Sequence, residues 1–138
     1  MSMLAGTYYI GDLCYVMHEE WGEVCDLIIK DRHVLDGEFN LADGRRFAIY
    51  STTWGDGLYR DGEGREYPVD AGSIGCILVD HIRPHKDNDT SLGNIVSFDK
   101  PFGTFSDDGK IMFGRVCIDT KNDTEDEVGD WELYDEDV

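Results

Sequence analysis

The stretch Ser73-Ile74-Gly75-Cys76-Ile77-Leu78-Val79-Asp80-His81 is apolar at Ile74 and again at every position from Cys76 to Val79. A strand with one wet face alternates apolar and polar side chains, whereas a near-continuous apolar run marks a strand covered on both faces. Residues 73–81 are therefore expected to form a central strand. Glu66 to Asp70 reads as the strand before it, with Ala71-Gly72 between the two.

Moving toward the N-terminus, Arg46 to Thr53 and Glu38 to Leu41 read as paired strands, because Ala42-Asp43-Gly44 carries the Asp-Gly pair of a tight hairpin. Trp54-Gly55-Asp56-Gly57 and Asp61-Gly62-Glu63-Gly64 read as loops. Thr7-Tyr8-Tyr9-Ile10, β-branched and aromatic, opens as a strand, and Leu13-Cys14-Tyr15-Val16 is expected to resume it after a break at Gly11-Asp12. Between His18 and Asp31 the period changes: Trp21, Val24, Cys25 and Ile28 fall on one helical face. Glu19 and Glu20 would lie in its first turn, where the helix dipole favours negative charge. Toward the C-terminus, Pro84 through Asn94 is polar and reads as a surface loop. Ile95 to Phe98, Pro101 to Ser106 and Lys110 to Ile118 read as three further strands, the last two joined by Asp107-Asp108-Gly109. The sum is an α+β domain: a curled, mostly antiparallel β-sheet of about seven or eight short strands packed against one amphipathic helix near residues 18–31.

Length and composition bound the rest. A chain of 138 residues, 41% hydrophobic, suits one domain with a genuine core, expected over residues 1–118. No apolar run approaches the roughly 18 residues that cross a bilayer, and the N-terminus lacks the pattern of a secretory signal, so a cytoplasmic protein is expected. Cys14, Cys25, Cys76 and Cys117 lie far apart in apolar contexts and read as buried free thiols.

Charge is the strongest compositional signal. The formal net charge is -18, and residues 119–138 contribute ten carboxylates against one lysine. Trp131, Leu133 and Tyr134 interrupt this acidic tail and are expected to dock it, on the domain or on a partner. Such a surface repels nucleic-acid phosphate and anionic lipid, which argues against direct nucleic-acid binding and against membranes, and it attracts basic proteins. The excess of Asp over Glu with scarce Lys also suits adaptation to a high-salt cytoplasm.

Three glycine-flanked motifs concentrate the candidate site residues: Gly11-Asp12-Leu13-Cys14-Tyr15, Trp54-Gly55-Asp56-Gly57-Leu58-Tyr59 and Val69-Asp70-Ala71-Gly72-Ser73-Ile74-Gly75. In this order of motifs the chain resembles a family of small phage and bacterial proteins carrying Gly-Asp-x-Cys-Tyr, Gly-Asp-Gly-x-Tyr and Val-Asp-Ala-Gly-x-Ile-Gly. The resemblance covers roughly residues 6–118 and implies a phage or bacterial genomic setting, with no activity attached.

Each of Asp12, Asp56 and Asp70 has a structural use, since a short carboxylate beside glycine can accept backbone N–H bonds in a turn. If the three loops gather at one sheet edge, they would instead hold a divalent cation, a nucleotide or another ligand stacked on Tyr15, Trp54 or Tyr59. The loop from Asp87 is no EF-hand, because Leu92 and Phe98 replace the required glycine and glutamate. Cys76, His81 and His85 have zinc-ligand chemistry but lack a nearby fourth ligand, so neither metal nor cofactor is expected. Cys14 and His18 make a poor nucleophilic pair, because Asp12, Glu19 and Glu20 would raise the thiol pKa.

The leading expectation is a non-enzymatic phage or prophage accessory protein, acting in the host cytoplasm by binding a basic surface on another protein. The nucleic-acid groove of a host defence nuclease is such a surface, and a protein dense in carboxylates mimics its natural ligand. Asp107, Asp108, Asp119, Asp123, Trp131 and Tyr134 are the expected contacts. The alternative, from a different class, is a ligand-binding or hydrolytic domain built on Asp12, Tyr15, Trp54, Asp56, Tyr59 and Asp70.

Overall fold

A computed structural model describes residues 3–121. Its strands, in chain order, are β1 (Gly6–Gly11), β2 (Ile29–Lys30), β3 (His33–Val34), β4 (Gly37–Asn40), β5 (Arg46–Ser51), β6 (Gly57–Asp61), β7 (Glu66–Val69), β8 (Ser73–Leu78), β9 (Asn94–Phe98), β10 (Thr104–Asp107), β11 (Lys110–Phe113) and β12 (Val116–Asp119). One α-helix, α1 (Trp21–Ile28), interrupts them. Two five-stranded sheets, ordered β4-β5-β8-β1-β9 and β10-β11-β12-β6-β7, and the small β2–β3 hairpin account for all of these strands. Every pairing among them is antiparallel. The α+β class, the largely antiparallel pairing and the amphipathic helix agree with the sequence reading. The strand number is higher, and one curled sheet is replaced by two that pack together.

The apolar run at 74–78 explains this architecture. β8 is the middle strand of the first sheet, between β5 and β1. Ile74 and Cys76 point into a core shared with the second sheet, where they join Tyr59, Tyr67, Phe113 and Ile118. Ile77 points the other way, into a second core closed by Leu13, Val16, Val24 and Ile28 from the α1 region. Strand β5 divides in the same way: Ala48 and Tyr50 face the second sheet, while Phe47 and Ile49 face the helix. The central sheet is therefore buried on both sides, with a sheet below and a helix above. At Gly75 the covering layer comes closest: a Cβ there would lie 2.3 Å from the Ala48 carbonyl oxygen and 2.7 Å from Leu13 Cδ1.

Several elements differ from the sequence reading. Leu13–Tyr15 is a 3₁₀ turn rather than a strand, because the Asp12 carboxylate accepts the Cys14 N–H and starts a turn. The helix spans 21–28, shorter than the expected 18–31. His18 is held outside it by an N–H bond to Asn88 Oδ1, and Ile29 turns extended to pair with Val34. The expected single strand Lys110–Ile118 is a hairpin turning at Gly114, whose φ of 58° favours glycine. Strand β6, Gly57–Asp61, lies between and overlaps the two segments read as loops. β12 reaches Asp119 and Thr120 is buried, so the fold runs past residue 118. All four cysteines are free, yet Cys76 alone is buried; Cys14, Cys25 and Cys117 are half-buried. No helix among the described residues is long and apolar enough to cross a membrane.

Candidate functional site

The chain leaves the second sheet at the end of β7 and enters the first at β8, so Asp70-Ala71-Gly72 is a crossover between layers. A crossover exposes backbone N–H groups that no ladder satisfies. Asp12 supplies their acceptor. It is fully buried, and its Oδ2 accepts from Asp70 N at 2.7 Å and Ala71 N at 2.6 Å, while Oδ1 accepts from Cys14 N at 3.0 Å. All of these partners are backbone amides, which assigns Asp12 a structural role: it ties the β1–α1 connection to the crossover.

The β5–β6 loop joins the same corner. Thr52 N–H donates to the Gly72 carbonyl at 3.1 Å, and a Cβ on Gly72 would come within 3.9 Å of Gly55 Cα. The loops carrying Asp12, Asp56 and Asp70 thus meet. Beside them opens a cleft of about 530 Å³ lined by Cys14, Tyr15, His18, Trp21, Asp70 and Asp87. His18 Nε2 lies 3.6 Å from the Asp87 carboxylate, and its ring lies 4.9 Å from that of His85.

The cleft is electronegative. Burial, followed by the negative charges of Asp12, Asp70 and Asp56, pushes the Tyr15 hydroxyl up to about 12. Burial also raises the Cys14 thiol well above its ordinary value, helped by a hydrogen bond to Asp12 and by the same carboxylates. A thiol held protonated at neutral pH is a weak nucleophile, so the adjacency of Cys14 and His18 does not amount to a catalytic pair. The sequence reading had the direction right, although the responsible charges are Asp12, Asp70 and Asp56 rather than Glu19 and Glu20.

The other sequence candidates lie elsewhere. Tyr59 is buried in the inter-sheet core with its hydroxyl donating to the Gly55 carbonyl at 2.9 Å, so no ligand can stack on it. Trp54 is exposed, and its Nε1–H donates to the Lys121 carbonyl at 2.8 Å. Asp107 ends β10 in register with Lys110, Asp108 sits in the β10–β11 turn, and Asp119 ends β12. This end of the molecule is not uniformly acidic: Asp108 pairs with Lys121 Nζ at 2.7 Å, and Asp119 is in register with both Lys110 and Arg60. Asp123, Trp131 and Tyr134 lie outside the described residues. Asp89 caps a 3₁₀ turn by accepting from Ser91, and no cluster of ligating side chains able to hold a metal occurs among the described residues.

Trp21 and Asp87 are the cleft residues that the motif reading missed. Trp21 was legible only as part of the apolar face of a helix. Asp87 lies far in sequence from Tyr15 and Trp21, in a loop whose position depends on Asn88 bonding His18 and on Asp89 N–H donating to the Tyr15 carbonyl. Comparison with protein-family models, curated proteins and solved structures returned no match.

Proposed function

We propose that the protein is a non-enzymatic binding module that recognises a basic surface on another protein, and that it serves a phage or prophage in the host cytoplasm. The observation that carries this reading is how charge is distributed over the fold. Arg45, Arg46, Arg60, Arg65 and Arg83 are each engaged by carboxylates of the same chain. Asp56 and Asp70 are exposed and have no cationic partner among the described residues. The acidic excess therefore faces outward, and Asp70, with Asp56 on a neighbouring loop, stands beside the cleft without a cationic partner among the described residues, whereas Asp108 at the β10–β11 turn is paired with Lys121. Residues 119–138 extend the same charge. A DNA- or RNA-binding groove on a defence nuclease offers the complementary field.

Immobilised full-length protein incubated with host lysate tests the reading. It should retain basic, nucleic-acid-binding proteins at low salt and release them when duplex DNA is added. Retention unchanged by DNA and by salt would overturn it.

The cleft also favours a second reading, a small-ligand site. Asp12 and Tyr59 are unavailable to a ligand, which leaves Tyr15, Trp21, Asp70 and Asp87, and the carboxylates there disfavour nucleotides. A panel of divalent ions and small cations, read by melting temperature, tests it. A rise of several degrees that Asp70→Ala abolishes would favour this second reading.

A further inference from the structure

The electronegative cleft continues past Trp21 into a second groove of different chemistry. Trp21 lines both. On its far side lies a cavity of about 330 Å³ whose lining is led by Ile28, Ile29, Val34 and Ala71 and includes Ser51 and Ser73. This wall is unusually apolar for a surface. Ile29 and Val34, directly paired across the β2–β3 hairpin, are 48% and 54% exposed, and Leu35 beside them is 41% exposed. The hairpin presents them through a turn in which Asp31 (φ 50°) and Arg32 (φ 68°) are both left-handed, a conformation that Asp tolerates and Arg does not favour. Adjacent apolar side chains held in water over a shaped cavity mark a contact surface.

Resting on the basic-partner reading above, we infer that this two-part groove docks an extended segment of the partner in which an aliphatic side chain lies beside a lysine or arginine. The aliphatic group fills the space between α1 and the β2–β3 hairpin. The cation lies in the cleft over Tyr15 and Trp21, facing Asp70 and Asp87. Charge complementarity fixes the occupant: the acidic tail of this chain has the wrong sign for the cleft, and a purely apolar segment would leave the Asp70 carboxylate unanswered. A cation over an aromatic face and beside two carboxylates gains from both.

Heteronuclear NMR on the full chain tests the inference, with acetyl-Leu-Ala-Arg-amide as probe and its Leu-Ala-Glu counterpart as control. The arginine peptide should shift the Trp21 indole and the amides of Val34, Ala71 and Gly72, with a Kd of about millimolar order. Asp70→Asn with Asp87→Asn should weaken it about fivefold, and Val34→Ser about threefold. Both sites are exposed, and unchanged amide shifts elsewhere would certify the fold. Equal shifts from both peptides, shifts confined to other surfaces, or no shift at about 20 mM peptide would overturn the inference. A second copy of the chain is the competing occupant, since Lys30 and Arg32 flank Ile29 and Val34. Sedimentation showing a dimer that Val34→Ser abolishes would assign the groove to self-association and overturn the proposal. If captured basic partners are retained equally by the Asp70→Asn and Val34→Ser proteins, the groove inference fails while the basic-partner reading stands. If no salt-sensitive partner is retained at all, that reading fails too.

Discussion

Asp12 has no room for error. Asp12→Ala would remove a fully buried carboxylate and leave the part-buried N–H groups of Cys14, Asp70 and Ala71 without their acceptor. Losing charge-assisted bonds to part-buried donors costs about 1–3 kcal/mol. Urea unfolding should record a loss of that size, and a loss below about 1 kcal/mol would deny the carboxylate its anchoring role. Gly75→Ala is expected to be comparably harmful for a steric reason, because its Cβ would press on the immovable Ala48 carbonyl. Overpacking of this kind costs about 1–3 kcal/mol, read by the same titration.

Asp61 makes the acid limb of stability testable. Burial would raise its pKa, but hydrogen bonds from the Tyr67 hydroxyl and the Arg65 and Glu63 amides, with the Arg65 guanidinium, outweigh burial and hold it below the usual carboxylate range. A carboxylate with a depressed folded pKa stabilises the fold above its unfolded pKa of about 3.9, and that contribution is lost as pH falls through the folded value. The stability advantage of the wild type over Asp61→Asn should therefore be constant near neutrality and shrink below about pH 4. An advantage independent of pH down to acid unfolding would contradict the assignment.

At the scale of elements, the β2–β3 hairpin is the segment where local preference and observed geometry disagree most. Both turn residues adopt positive φ, and the pair Asn-Gly relieves that strain. Replacing Asp31 and Arg32 by Asn and Gly should stabilise the protein by about 1–2 kcal/mol, and a neutral or negative effect would show that the turn side chains contribute contacts of their own. The same hairpin shows why parts of the fold were illegible. Its strands have two residues each, too short for a period, and Asp31-Arg32 carries no glycine to announce the turn. The β11–β12 turn does carry a glycine, Gly114, but without the Asn or Asp before it that marks a tight hairpin. By contrast, Asp43-Gly44 and Asp108-Gly109 announced their hairpins, and the unbroken apolar run of β8 announced a strand covered on two faces. The site was legible only in part. Asp12, Tyr15 and Asp70 stood out in the glycine-bearing motifs, whereas Trp21 reads only as one residue of a helix face and Asp87 is brought in by the bond between His18 and Asn88, 70 residues apart, which no local pattern records.

Over the whole molecule, net charge decides which partners are admissible. With a formal charge of -18 and most arginines engaged internally, long-range attraction toward a basic protein should quicken encounter while aromatic and aliphatic contacts set affinity. Removing residues 122–138 should therefore slow association and leave urea stability within about 0.5 kcal/mol of the full chain, since β12 ends at Asp119. Equal association rates for the two forms would exclude the tail from steering. The most direct test of the central claim compares capture of a basic partner by the wild type and by the Asp56→Asn, Asp70→Asn, Asp87→Asn protein at about 50 mM and about 500 mM salt. The account predicts that wild-type association falls at least about tenfold between the two salts and that the triple variant starts low and changes little. Capture that is as strong for the variant as for the wild type, or that rises with salt, would contradict it.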